Sequence, residues 1–221
     1  GGKHWSEIVG DDAIDYLKMA KKTDNPFFMY IAFNAPHDPR QSPKEFVDRY
    51  PLDGISVPKN FIPEYPYNEA MESGRKLRDE RLAPFPRTEH SVKVNRQEYY
   101  AIITHMDEQI GRILTELKKS GQEDNTIVIF TSDHGYHLGE HDFWAKVSLL
   151  DQSSGVPLII RVPGQEPAVC HSLTELLDLY PTVAKLCGLP AQDRLQGKDI
   201  SPVFQNPEYT VRDAVFSVAP M

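Results

Sequence analysis

Apolar positions along this chain of 221 residues follow two rhythms. From Arg96 to Lys119, Tyr99, Ile102, Ile103, Met106, Ile110, Ile113, Leu114 and Leu117 recur three and four residues apart, as on one face of an α-helix. Lys118 and Lys119 suit the negative end of that helix, and Gly121 supplies its stop. A shorter pattern of the same period covers Asp11 to Lys22 through Ile14, Leu17 and Met19, ending at Asp24-Asn25-Pro26. Another predicts a helix from about Leu173 to Cys187, closed by Gly188 and Pro190. Elsewhere the apolar residues are contiguous. Phe27 to Phe33, Asn125 to Thr131 and Val156 to Val162 read as strands buried on both faces, and Ala214 to Val218 as one more strand. Helices interleaved with buried strands imply an α/β layer structure. None of these runs approaches the roughly 20 apolar residues of a membrane-spanning helix, so no membrane span is expected.

Between Asn34 and about Asn95 both rhythms stop. Proline stands at 36, 39, 43, 51, 58, 63, 66, 84 and 86, with charges between. Proline removes a backbone donor and restricts its neighbour, so this stretch is expected to be a long excursion over the surface. It follows a predicted strand, and in α/β proteins the carboxyl ends of strands are where ligands bind.

Charge narrows the class of partner. Lys and Arg number 24 against 32 Asp and Glu, a formal charge of −8, which argues against a nucleic-acid binder with its basic face. Cys170 and Cys187 lack metal-ligand spacing and are expected to be buried thiols. No Asn-x-Ser/Thr acceptor occurs. The opening Gly-Gly-Lys-His-Trp has no signal-peptide layout, and 211–221 stops within the predicted last strand, so the expectation is a middle-to-late segment of a longer protein.

Candidate chemistry concentrates in Thr131 to Lys146, directly after a predicted strand. Adjacent Asp133 and His134 offer a hard oxygen and an imidazole nitrogen, a pair suited to Ca²⁺ or another divalent cation. Taken alone, the same pair also fits a turn-capping aspartate beside a packed histidine. Gly135 and Gly139 allow the backbone to turn back and bring Lys146 toward Asp133, where an ammonium could clamp a sulfate or phosphate. His37, between Pro36 and Pro39, follows another predicted strand and can approach the same sheet edge.

These residues resemble a known family. Asp133-His134-Gly135, Gly139-Glu140-His141, Trp144-Ala145-Lys146 and Val156 to Gly164 are similar to the second half of the catalytic domain of type I, formylglycine-dependent sulfatases of the alkaline phosphatase superfamily, nearest the iduronate-2-sulfatase-like group. Leu177 to Thr182, Leu195 to Asp199 and Ala35 to Pro39 continue the resemblance in order. It implies an alkaline-phosphatase-like, mixed and mostly parallel sheet flanked by helices and incomplete here, residues 1–221 being a fragment of that domain. It implies a sulfuric ester hydrolase in which Asp133 and His134 ligate Ca²⁺, Lys146 contacts the sulfate and its bridging oxygen, and His37 contacts the sulfate or assists departure of the alcohol. His137 and His141 would pack the loop or line the substrate.

The Cys/Ser-x-Pro-x-Arg motif that yields formylglycine is not found in the chain. Asp11-Asp12 opens an amphipathic helix and does not follow a strand, so it is not the family's acidic metal pair. The nucleophile and the rest of the metal site are therefore expected upstream, and the chain alone is expected to be inactive. Its partners would be a sulfated small molecule or saccharide and either the missing N-terminal half or a second copy at an exposed sheet edge. Bacterial members of the family imply a periplasmic or secreted location. Two alternatives stand beside this reading: a phosphonate monoester or phosphodiester hydrolase of the same superfamily, and a noncatalytic anion-binding or interaction module.

Overall fold

The computed structural model describes residues 2–70 and 75–218. In chain order its regular elements are α1 (Trp5–Ala20), α2 (Lys44–Val47), α3 (Glu89–Ser120), β1 (Val128–Thr131), β2 (His137–Leu138), β3 (Trp144–Ala145), α4 (Asp151–Ser154), β4 (Leu158–Arg161) and α5 (Leu179–Leu186), joined by loops and short 3₁₀ turns.

The two long helices both begin earlier than the expected starts at Asp11 and Arg96. In α1 the turns before Asp11 face α3 through buried Ser6 and Gly10, and a Cβ on Gly10 would already stand 3.4 Å from the Gln109 Cβ. Close approach of the two helices selects small residues there, and a hydrophobic period does not register them. The helix α3 starts at Glu89 under a reciprocal cap: Thr88 Oγ1 accepts from the Ser91 amide at 3.1 Å, and Ser91 Oγ accepts from the Thr88 amide at 2.9 Å. Its end is as expected, with Gly121 left-handed at φ 77°.

Ala13 and Leu17 of α1 pack with Ile113 and Leu117 of α3, and Phe27, Met29, Phe33 and Val128 cover that contact. The run from Phe27 to Phe33 is neither helix nor strand and joins no ladder among the described residues. Only its alternate residues reach the helices; Phe28 and Tyr30, expected to be buried, are 77% and 86% exposed. An extended chain sends successive side chains to opposite faces, and here a helix layer covers one of them. Phe130 and Ile159 are exposed as well. β1 pairs antiparallel with β4, Ile129 opposite Ile160, and β2 with β3, so both ladders in the described residues are antiparallel.

The last predicted helix is shorter than its sequence pattern. Its first turns are irregular because Asp178 acts as a backbone hub, accepting from the amides of Glu175 at 2.8 Å and Lys198 at 2.7 Å while pairing with Arg212. The predicted strand Ala214–Val218 is irregular and exposed; residues 219–221 lie outside the described residues. Both cysteines are free, and Cys187, expected to be buried, is exposed at the carboxyl end of α5.

The Pro-rich excursion does not lie loosely on the surface. Phe46, Ile55, Ala83, Glu80 and Arg87 are buried, and Ala83 with Leu82 packs on Trp144, Ala145, Tyr136 and Leu138. The excursion and the Asp-His loop thus share one core, which places the candidate chemistry between them.

Candidate functional site

Asp133 and His134 sit just beyond the carboxyl end of β1. The Asp133 carboxylate accepts from the His134 amide at 3.1 Å, and its Oδ2 lies 3.7 Å from His134 Nε2. His134 Nδ1 is 2.8 Å from the Gly135 carbonyl. A carbonyl only accepts, so Nδ1 carries a proton, which leaves Nε2 as the ring nitrogen able to offer a lone pair. A carboxylate oxygen and an imidazole nitrogen therefore lie side by side, donor types that a divalent cation takes. Two donors alone do not make a metal site, and no cluster of three His, Cys, Asp or Glu side chains suited to a metal occurs among the described residues.

His37 is held the same way. Its amide donates to the Asn34 carbonyl at 2.9 Å, and its Nδ1 donates to the Asp38 carbonyl at 2.9 Å, leaving Nε2 on an exposed ring. It borders a cleft of about 550 Å³ whose walls include Arg40, Arg78, Leu82 and Glu98.

One residue that the sequence pattern did not single out ties these pieces together. Tyr136 donates its hydroxyl to Asp38 Oδ2 at 3.0 Å, which docks the His37 turn on the Asp-His loop. Its ring stacks on Tyr99 of α3 at 4.8 Å and meets Trp144 edge-on. Burial and the neighbouring Asp38 carboxylate push the Tyr136 hydroxyl far above the usual phenol range, so it stays a donor. The only local signal was an aromatic inside a polar loop.

Lys146 approaches through the β2–β3 pairing. His137 is opposite Ala145 and Leu138 opposite Trp144, so Lys146 follows directly on the strand that pairs with the segment after Gly135. Buried Ser153 reinforces this: its carbonyl accepts from the Gly135 amide at 2.7 Å, and its hydroxyl donates to the Lys146 carbonyl. Three residues without glycine's freedom, His141, Asp142 and Ala145, have φ of 54°, 68° and 66° in this segment. Such backbone is costly and persists only where its surroundings over-determine it.

The surroundings are ionic. Arg87 is sealed between Glu80, at 2.8 Å, and Asp142, at 3.6 Å. Desolvation outweighs the guanidinium's attraction and pushes Glu80 up to about 7 and Asp142 up to about 6.

The remaining histidines divide. His141 belongs to the seam with the excursion, its Nε2 3.1 Å from Asn60 Nδ2 and its amide donating to the Asn60 carbonyl at 3.1 Å. His137 is 1% exposed, 2.7 Å from Ser148 Oγ and packed on Phe143. Burial lowers its imidazole to about 4. The unfolded chain, with a histidine near 6.5, then binds more protons than the folded one between those values, so stability falls as pH drops through that window, by about 3 kcal/mol. Denaturant titrations of the wild type and His137→Asn at neutral and acid pH should show the wild type losing about 3 kcal/mol more than the variant. Parallel losses would refute the assignment; Glu80 and Asp142 titrate in both proteins and cancel.

Comparison with known proteins bears on the whole arrangement. The sulfatase family profile matches residues 1–189. Mouse iduronate 2-sulfatase (Mus musculus) is 34% identical over 220 residues, 83% of this chain and 40% of that protein. Among solved structures, a phosphonate monoester hydrolase from Silicibacter pomeroyi aligns with a TM-score of 0.81 at 24% identity, over 94% of this chain and 42% of that one. Another, solved with its substrate D-glucosamine-2-N,6-O-disulfate, aligns with a TM-score of 0.76 at 24% identity, over 96% and 54%. The chain spans 40% of the length of the iduronate 2-sulfatases it matches.

Proposed function

The chain belongs to the sulfatase family, and we propose from that premise that it is the later part of a catalytic domain that hydrolyses sulfate esters on a saccharide. The observation that carries this reading is the Tyr136–Asp38 hydrogen bond, which ties the His37 turn to the loop of Asp133 and His134; the Ser153 bonds to the Gly135 amide and the Lys146 carbonyl support adding Lys146 to the same group. Saccharide as substrate is supported by the sulfated sugar held by a structural neighbour.

In this reading Asp133 Oδ and His134 Nε2 hold a divalent cation, Ca²⁺ by the family's pattern, which would supply positive charge for the bound sulfate. Lys146 sets its ammonium against the sulfate and its bridging oxygen, where negative charge grows as the ester bond breaks. His37 contacts the sulfate through Nε2 and, as imidazolium, hands a proton to the departing alcohol. Neither Cys170 nor Cys187 lies in a Cys/Ser-x-Pro-x-Arg motif, so a formylglycine nucleophile must come from residues outside this chain. The isolated chain should give no turnover. Phe28, Tyr30, Phe130 and Ile159 are exposed apolar side chains that the rest of the domain, or a second copy, would cover. Among the described residues no helix is long and apolar enough to cross a membrane, and the location proposed is periplasmic or secreted.

The test is inorganic sulfate release from sulfated mono- and disaccharides by the complete enzyme, set against hydrolysis of an aryl phosphate diester and an aryl phosphonate. Sulfate release should exceed both in kcat/KM by about tenfold or more. Preference for the phosphorus esters would move the enzyme to the phosphonate monoester hydrolase side of its fold, and turnover of neither class would leave a noncatalytic module.

A further inference from the structure

Glu80, Arg87 and Asp142 do more than fill the core. All three are nearly fully buried, yet among the described residues none of their bonds reaches the β1–β4 ladder or the packing contact of the long helices. They end instead on the backbone that carries Lys146. The Glu80 carboxylate accepts from the Trp144 amide at 3.2 and 3.3 Å. Arg87 donates to the carbonyls of Asp142, Glu80 and, at 3.1 Å, Ala83. Asp142 Oδ2 accepts from the Tyr65 amide at 3.3 Å and from Asn68 Nδ2 at 3.5 Å, so it reaches a second part of the excursion.

Burying an ionic triad is a poor way to gain stability, since apolar side chains of similar size usually serve at least as well. Its directional bonds supply what apolar packing lacks: fixed anchors on Asp142 and Trp144, within a segment whose Asp142 and Ala145 hold positive φ. Resting on the sulfatase reading for the task of Lys146, we propose that Glu80, Arg87 and Asp142 form a strut through which the Pro-rich excursion positions Lys146. They are positioning residues and touch no substrate. The excursion then has a part in turnover as well as in forming the cleft beside His37: it holds the charge that meets the leaving oxygen.

Two measurements on the complete enzyme test this. In Glu80→Ala, amide hydrogen exchange over Phe143 to Lys146 should quicken by about tenfold or more while α3 keeps its protection. Glu80→Gln, which retains one acceptor for the Trp144 amide, should fall between Glu80→Ala and wild type, and it serves alone if Glu80→Ala does not fold. Unchanged exchange at Phe143 to Lys146 would overturn the strut, whatever the enzyme's substrate. For turnover, Glu80→Gln should slow an alkyl sulfate ester more than an activated aryl sulfate, because the poorer leaving group depends more on Lys146. Combined with Lys146→Ala, it should cost nothing beyond Lys146→Ala alone. Equal losses on both esters, or losses that multiply in the double variant, would reject positioning through Lys146. Wild-type enzyme that releases no sulfate would sink the sulfatase reading, and the exchange result would then decide the strut by itself.

Discussion

Asp133→Ala in the complete enzyme is expected to lower kcat/KM for sulfate ester hydrolysis by about three orders of magnitude, with no loss of thermal stability when melted without divalent cation. Two observations separate these effects. The Asp133 side chain is 86% exposed, and its bonds are local ones to Ser132 and the His134 amide, so its removal leaves no cavity or buried donor. In contrast, the carboxylate is one of two donors that this chain offers to a cation, and a remaining imidazole supplies no negative charge to hold it. Divalent-cation affinity should fall with activity. Equilibrium dialysis with Ca²⁺, sulfate release and a thermal melt on the same preparation check the three parts. Undiminished turnover would remove Asp133 from the metal site, and a lowered melting temperature would show that it supports the fold.

Gly135→Ala is expected to damage both stability and activity. A Cβ at Gly135 would stand 2.2 Å from the Gln152 carbonyl oxygen and 2.6 Å from that of Gly155, both backbone atoms that no rotamer change can remove. The α4 turn would have to shift, breaking the 2.7 Å bond from the Gly135 amide to Ser153 and loosening the bond from Ser153 to the Lys146 carbonyl. Displacement of this kind costs about 3 kcal/mol or more. Because the same move loosens the link from Gly135 through Ser153 to the Lys146 backbone, kcat should fall even where the protein remains folded. Gly111→Ala is the control: a Cβ there meets nothing within 4 Å, and a helix interior favours alanine by about 1 kcal/mol. Denaturant unfolding of both variants checks the contrast; equal stabilities would show that α4 yields freely.

Local chemistry was legible wherever the participants are close in sequence. Asp133, His134 and Lys146 lie in one loop after an apolar run, which made them candidates for a cation and an anion clamp; their residue types alone fitted a capping aspartate, a packed histidine and a surface lysine equally well. Gly121 ended its helix where its sequence context placed it. Helix starts were less legible, because Ser6 and Gly10 serve contact through smallness and Thr88 with Ser91 through a cap, and neither leaves an apolar period. The strands were recognised as apolar but not their exposure, since Phe28 and Tyr30 have the same composition as Phe27 and Met29 and differ only in which face the helices cover.

Tyr136, Glu80 and Arg87 mark where sequence reading runs out. Tyr136 meets Asp38 across 98 positions, and Arg87 meets Asp142 across 55. No spacing rule links residues that far apart; only the folded path of the excursion brings them together. By itself, the sequence determined the family, the long helices and the loop that carries Asp133, His134 and Lys146, because short-range periodicity and contiguous donors are properties of neighbouring residues. The tertiary structure alone decided that His37 joins that loop through Tyr136, that His137 turns inward, and that a buried ionic strut anchors the backbone leading to Lys146. Each of those depends on which distant surfaces close over one another, and desolvation and bond geometry act only once they have.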